Sequence, residues 1–119
     1  MTKPRRGKGT VAPSIEWTER AVADLRAIDD YIAADNPVAA GRWVGRLIAK
    51  AEAAARLPIA GRVVPEKGHS DIREVFLRTY RIVYRVRPKA VVVLTIFEGH
   101  RSFPGDVDVE EQPKTPDEP

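Results

Sequence analysis

The chain has 119 residues, with 20 basic and 17 acidic side chains, two histidines and no cysteine. Its length fits one domain, and 43% hydrophobic with 31% charged residues is a globular balance rather than a disordered one. Disulfides, thiol catalysis and cysteine-type zinc sites are excluded, and His69 and His100 are too scattered to suggest a metal centre, so neither metal nor cofactor is expected.

The net charge of +3 is unevenly spread. Lys3, Arg5, Arg6 and Lys8 face no acid within residues 1–14, whereas residues 104–119 set six acids against Lys114. Residues 72–103 hold seven basic groups against Glu74 and Glu98, a positive block suited to an acidic partner. The basic amino-terminal stretch lacks the apolar run of a secretory signal, and no stretch of about 18 apolar residues offers a membrane span. A cytoplasmic location without membrane contact is expected. Both ends, 1–14 and 104–119, read as disordered tails around a folded unit at 15–103, because they have too little apolar surface to offset ordering.

Ser14-Ile15-Glu16-Trp17 reads as a short strand ending at Thr18, a good helix N-cap with Glu19 in the first turn. Val22, Leu25, Ile28 and Ile32 recur at helical spacing, which predicts an amphipathic helix to about Asp35. Asn36-Pro37 restarts the chain as cap and first helical residue. The stripe Ala40, Trp43, Val44, Leu47, Ile48, Ala51 and Ala55 carries a second helix to Leu57, before Pro58. A one-residue break between the two predicts an antiparallel helical hairpin.

Residues 58–71 are turn-rich and read as a loop. The period then changes to two, with strands at 72–77, 80–87 and 90–97 joined by tight turns at Arg78-Thr79 and Pro88-Lys89. The last strand is apolar on both faces, which places it inside its sheet. The expected fold class is α+β: a short N-terminal strand, an antiparallel helical hairpin, then a three-stranded antiparallel sheet.

Three features invite a functional reading. Arg81, Arg85 and Arg87 alternate along one strand, with Arg73 and Arg78 close by; several arginines on one face suit phosphate, and equally suit a solvated outer face. Glu98-Gly99-His100-Arg101 sets an acid, an imidazole and a guanidinium at a strand end. General acid–base cleavage of a phosphodiester uses that set, although a polar exit from a buried strand looks the same. Arg42, Arg46 and Lys50 line the outer face of the second helix, as a solvated stripe or a docking face for an acidic macromolecule. Glu66 stands as a lone acid in the loop.

The segments IEWT, NPVAAGRWVGRL, PIAGRVVPE, IREV, YRIVYRV and VVVLTIFEGHR together resemble the RelE/ParE superfamily of toxins from bacterial type II toxin–antitoxin modules, over residues 15–103. One branch, RelE-like, cleaves messenger RNA on the ribosome. Carried over by position, it implies Arg81, His100 and Arg101 as catalytic residues, with His100 replacing the carboxy-terminal tyrosine, since no tyrosine follows Tyr84. Arg73 and Glu74 stand where that branch is rich in lysine. The other branch, ParE-like, inhibits DNA gyrase without a conventional active site. The hairpin from 19 to 57 and the PxxGRxVPE pattern at 58–66 resemble it more. That likeness implies a gyrase-inhibiting toxin with no catalytic residue, neutralised by a cognate antitoxin in a hetero-oligomer. Arg73, Arg78, Arg81, Arg85, Arg42 and Arg46 would be its partner-binding groups, and the RelE-like ribosome-dependent endoribonuclease is the alternative.

Overall fold

A computed structural model describes residues 14–107. Most of the two expected tails, 1–13 and 108–119, lies outside the described residues. The elements in chain order are β1 (Ser14–Trp17), α1 (Glu19–Ala33), α2 (Pro37–Arg56), a 3₁₀ turn (Pro58–Ala60), β2 (Arg62–Val63), β3 (Ile72–Leu77), β4 (Tyr80–Val86) and β5 (Ala90–Glu98).

Local chemistry explains the helix ends. The Thr18 hydroxyl oxygen accepts from the Ala21 N–H at 3.1 Å, and Asn36 does the same for Ala39 at 3.0 Å with Pro37 behind it. The connection between the helices covers residues 34–36, so the break is longer than the single residue expected.

The three-stranded expectation is corrected to a five-stranded mixed sheet in the order β1-β5-β4-β3-β2. β1 lies parallel to β5, Ser14 opposite Ala90 and Trp17 opposite Val93. The 58–71 segment, read as loop, contributes the two-residue β2, antiparallel to β3. Neither was legible locally, because pairing between residues 76 positions apart leaves no periodic trace and two residues make no pattern. β5 lies inside the sheet, as its apolar faces predict.

Both helices cover one face. Ala21, Leu47 and Ala51 pack on Ile82, Val93 and Ile96, while Ala54 and Ala55 meet Tyr84 and Val91. The small side chains of α2 let its backbone come close to the strands. The other face is covered too: Val64, Ile72, Val83, Val92, Leu94 and Phe97 form a second core under Phe103 and Val107. β4 is therefore buried on both sides from Arg81 to Tyr84, so the face that carries Arg81 is not the solvated outer face its arginines suited. The chain also stays packed beyond 103, with Val107 in that core and Asp106 2.8 Å from the Arg20 guanidinium. A register shift opposite Val83/Tyr84 makes Leu94 an extra residue in β5, so Val91, Val93 and Ile96 all face the helices.

Beyond the end of β1, side chains close the outer edge of β5. The Thr18 hydroxyl donates to the carbonyls of Val93 and Leu94, and Asp24 accepts from the Ile96 N–H at 3.0 Å and the Thr95 hydroxyl at 2.5 Å. The other Asp24 oxygen accepts from Arg20 Nε at 3.0 Å.

Candidate functional site

Alternation along β4 turns Arg81 away from the helices, onto the face it shares with Glu74 of β3. Arg81 Nε donates to Glu74 Oε1 at 2.6 Å, and its terminal nitrogens reach Glu66 Oε2 and Oε1 at 3.0 and 2.8 Å. Arg62 Nε donates to the second Glu74 oxygen at 2.6 Å. Four charges of alternating sign thus run Glu66–Arg81–Glu74–Arg62. Glu74 is only 1% exposed and Arg81 6%, so the pairing is what makes their burial tolerable. Phe97 and Phe103 lie on the Arg81 guanidinium, 5.0 and 5.7 Å from its carbon to the ring centres. Donation from Arg81 pushes the Glu66 carboxyl down to about 2, against the upward pull of partial burial, and Arg81 is raised above its ordinary value in return.

The remaining arginines do not form one face. Arg73 alternates with Glu74 and lies on the helix side, donating to the carbonyls of Ser70, Ile59 and Gly61. Arg85 pairs with Asp71 at 3.1 Å, and Arg87 lies past the end of β4. Arg78 is exposed in the β3–β4 turn at φ 56°. Arg42 and Arg46 are exposed on α2, Arg46 lying 4.9 Å over the Trp43 ring. Sequence reasoning missed Glu74 and left Glu66 without a partner. The available signal was an acid inside an otherwise apolar strand, IREV.

At the end of β5, Gly99 donates to the Thr79 carbonyl at 2.5 Å, so close that a β-carbon there would lie 2.7 Å from that oxygen. Glu98 then folds onto the turn it precedes. Its carboxylate accepts from the His100 N–H at 2.7 Å and meets Nδ1 of the exposed His100 ring at 2.8 Å. The His100 backbone N–H, followed by the Thr79 hydroxyl, holds Glu98 below the usual carboxylate range. Glu98 and Arg101 line a cleft of about 420 Å³ with Asp24, Tyr31, Tyr80 and Ile96. The structure thus pairs His100 with Glu98 beside Arg101, whereas the charged end of Arg81 is committed to Glu66 and Glu74 and does not line that cleft. Among the described residues, no group of three or more acidic or imidazole side chains is placed to hold a metal ion.

The fold is thus a helical hairpin on one side of a five-stranded mixed sheet, with the basic strand β4 at its centre. The P. aeruginosa chromosomal ParDE system contains such a chain, 26% identical, with a TM-score of 0.62 over 73% of this chain and 96% of that one. The family described as "ParE toxin of type II toxin-antitoxin system, parDE" matches residues 15–103. The chain belongs to that family. Among curated relatives, Y4kP of Sinorhizobium fredii (strain NGR234) is 38% identical over 92 residues, 76% of this chain and 92% of the relative. Toxin RelE2 of Caulobacter vibrioides is 39% identical over 88 residues, 73% of this chain and 96% of the relative. The relatives therefore carry names from both branches of the superfamily.

Proposed function

We propose that this toxin acts on DNA gyrase, in the ParE manner, and is held inactive in the cytoplasm by a cognate antitoxin. The observation that supports this is the engagement of Arg81. Phosphodiester cleavage needs a cation free to meet charge developing on the phosphate. Here Arg81 has its Nε and both terminal nitrogens on carboxylates, beneath Phe103. Its charge is balanced before any ligand arrives, and so it serves the fold. The exposed Arg42, Arg46 and Arg78 are the cations this reading assigns to partners, while Arg73 and Arg85 hold neighbouring backbone and Asp71.

The test is supercoiling of relaxed plasmid by purified gyrase, with the antitoxin-free chain titrated in. Inhibition with accumulation of cleaved DNA is the expected result, unchanged in His100→Ala. One feature favours the ribosome-dependent ribonuclease instead: the Glu98–His100 pair, an oriented imidazole next to Arg101. Unaffected gyrase, together with messenger cleavage that His100→Ala abolishes, would replace the first reading with the second.

A further inference from the structure

The cleft of about 420 Å³ at the end of β5 is walled by aromatic and aliphatic groups: Ile28 and Tyr31 from α1, Tyr80 from β4, Ile96 and Phe97 from β5. Its two phenols differ in support. Trp43 meets the Tyr80 ring edge-on at 6.1 Å and holds it in place, whereas Tyr31 is 80% exposed. Burial raises the Tyr80 phenol above its ordinary value, and the nearby Glu98 and Tyr31 add to this against Arg101. The hydroxyl therefore stays neutral, and the ring is a fixed apolar platform.

The charged groups of the cleft differ in their commitments. Asp24 has one oxygen on Arg20 and the other on Thr95 and Ile96. Glu98 accepts from His100 and Thr79 without being saturated, since a carboxylate takes about four hydrogen bonds. Arg101 is the one guanidinium in the lining, and it has no ion pair or side-chain hydrogen bond among the described residues. A second arginine stands close by. Arg78 precedes Thr79 in the β3–β4 turn, which the Gly99 N–H and the Glu98 carboxylate tie to the end of β5. Its φ of 56° suits glycine or asparagine, so an exposed arginine is carried there against backbone preference. Two phenol rings with an unpaired guanidinium beside them fit a flat aromatic ring that bears an anion.

We infer that this cleft binds an unpaired nucleotide of a DNA strand, with its base against Tyr31 and Tyr80 and its phosphate on Arg101. Stacking accepts any base, because every base has a π-face. Glu98 accepts from a base N–H or amino group. Arg78, outside the cleft, meets the neighbouring phosphate, which favours a strand over a free nucleotide. A base inside a duplex is excluded, since its own neighbours already cover both of its faces. The inference rests on the gyrase reading above and adds to it a contact with the DNA strand that gyrase has cut.

The probe is a strand of eight thymidines with a 5′ fluorophore, titrated with the antitoxin-free full chain and read by anisotropy. Its controls are eight uridines and the duplex of the thymidine strand with its complement. The thymidine strand is expected to bind about tenfold tighter than the duplex and no more weakly than the uridine strand. Tyr31 and Arg101 are both exposed, so their variants keep the fold. Tyr31→Ala should weaken binding about tenfold and leave its salt dependence unchanged, because a stack is lost and no charge. Arg101→Gln should weaken it and lower the slope of log affinity against log salt by about 0.7. Lys50→Gln, on α2 and outside the cleft, should bind like the parent. The inference is overturned if the thymidine strand does not bind, if the duplex binds as tightly, or if Tyr31→Ala and Arg101→Gln both match the parent. Binding of the uridine strand alone also overturns it and favours the ribonuclease. Gyrase inhibition without strand binding removes the cleft and keeps the gyrase reading; strand binding without gyrase inhibition does the reverse.

Discussion

Glu66 and Arg81, fifteen residues apart in sequence, meet end-on, with both carboxylate oxygens on the two terminal nitrogens at 2.8 and 3.0 Å. That fork joins the loop after β2 to the central strand and covers Glu74 beneath it. The PxxGRxVPE and YRIVYRV segments are thus two halves of one ion network.

Removing Arg81 leaves the buried Glu74 with Arg62 alone. Arg81→Met should therefore lower stability by about 3 kcal/mol or more in urea unfolding, since breaking a buried pair strands a charge. Arg81→Lys should fall between the two, because an ammonium keeps the charge and loses the fork. A loss under 1 kcal/mol in Arg81→Met would show the network to be dispensable.

Glu66 also makes stability depend on pH in a stated direction. Its carboxyl titrates near 4.5 in the unfolded chain and about 2 in the folded one. Its contribution is complete above the unfolded value and drains away as pH falls from 4.5 toward 2. Glu66→Gln should flatten that part of the acid-unfolding curve, and because Glu66 is partly exposed the loss at neutral pH should be small. An identical acid limb in parent and variant would refute the assignment.

Asp24 replaces a missing strand partner for β5. Asp24→Ala leaves the Ile96 N–H and the Thr95 hydroxyl without acceptors, at a cost of about 2 kcal/mol. Exchange at the Ile96 amide should quicken by more than the global loss of stability accounts for. Asp24→Asn keeps an acceptor oxygen and should recover part of both effects.

Gly61 lies where a side chain has no room. A β-carbon would come 2.1 Å from the Tyr84 hydroxyl, itself 2.7 Å from the Pro58 carbonyl, and 2.9 Å from the Glu74 carbonyl. Gly61→Ala should cost about 2 kcal/mol by overpacking, and Tyr84→Phe about 1 kcal/mol for its hydrogen bond. Together they should cost less than the sum, because the second removes the atom with which the first collides. Strict additivity would contradict this geometry.

Arg42 and Arg46 lie on the exposed side of α2, so reversing both charges should leave the unfolding midpoint nearly unchanged. Under the partner reading it should slow association with an acidic antitoxin, most strongly at low salt. Unaltered association rates would remove these two residues from the interface.

The sequence by itself determined what is local. Thr18 and Asn36 set the helix starts, apolar stripes set the buried helix faces, alternation set β3 and β4, and a continuous apolar run set β5. The family was legible as well, because its motifs follow one another along the chain. Only the tertiary structure decided where β1 and β2 pair, that both faces of β4 are covered, and that Arg81 belongs with Glu66 and Glu74 rather than with His100 and Arg101. Periodicity reports which side of an element is apolar and carries no record of what lies across from it. A charged residue at a given step of a strand reads the same whether water or a carboxylate faces it. Its role is fixed only when distant segments close over it and its charge has to be balanced inside the fold.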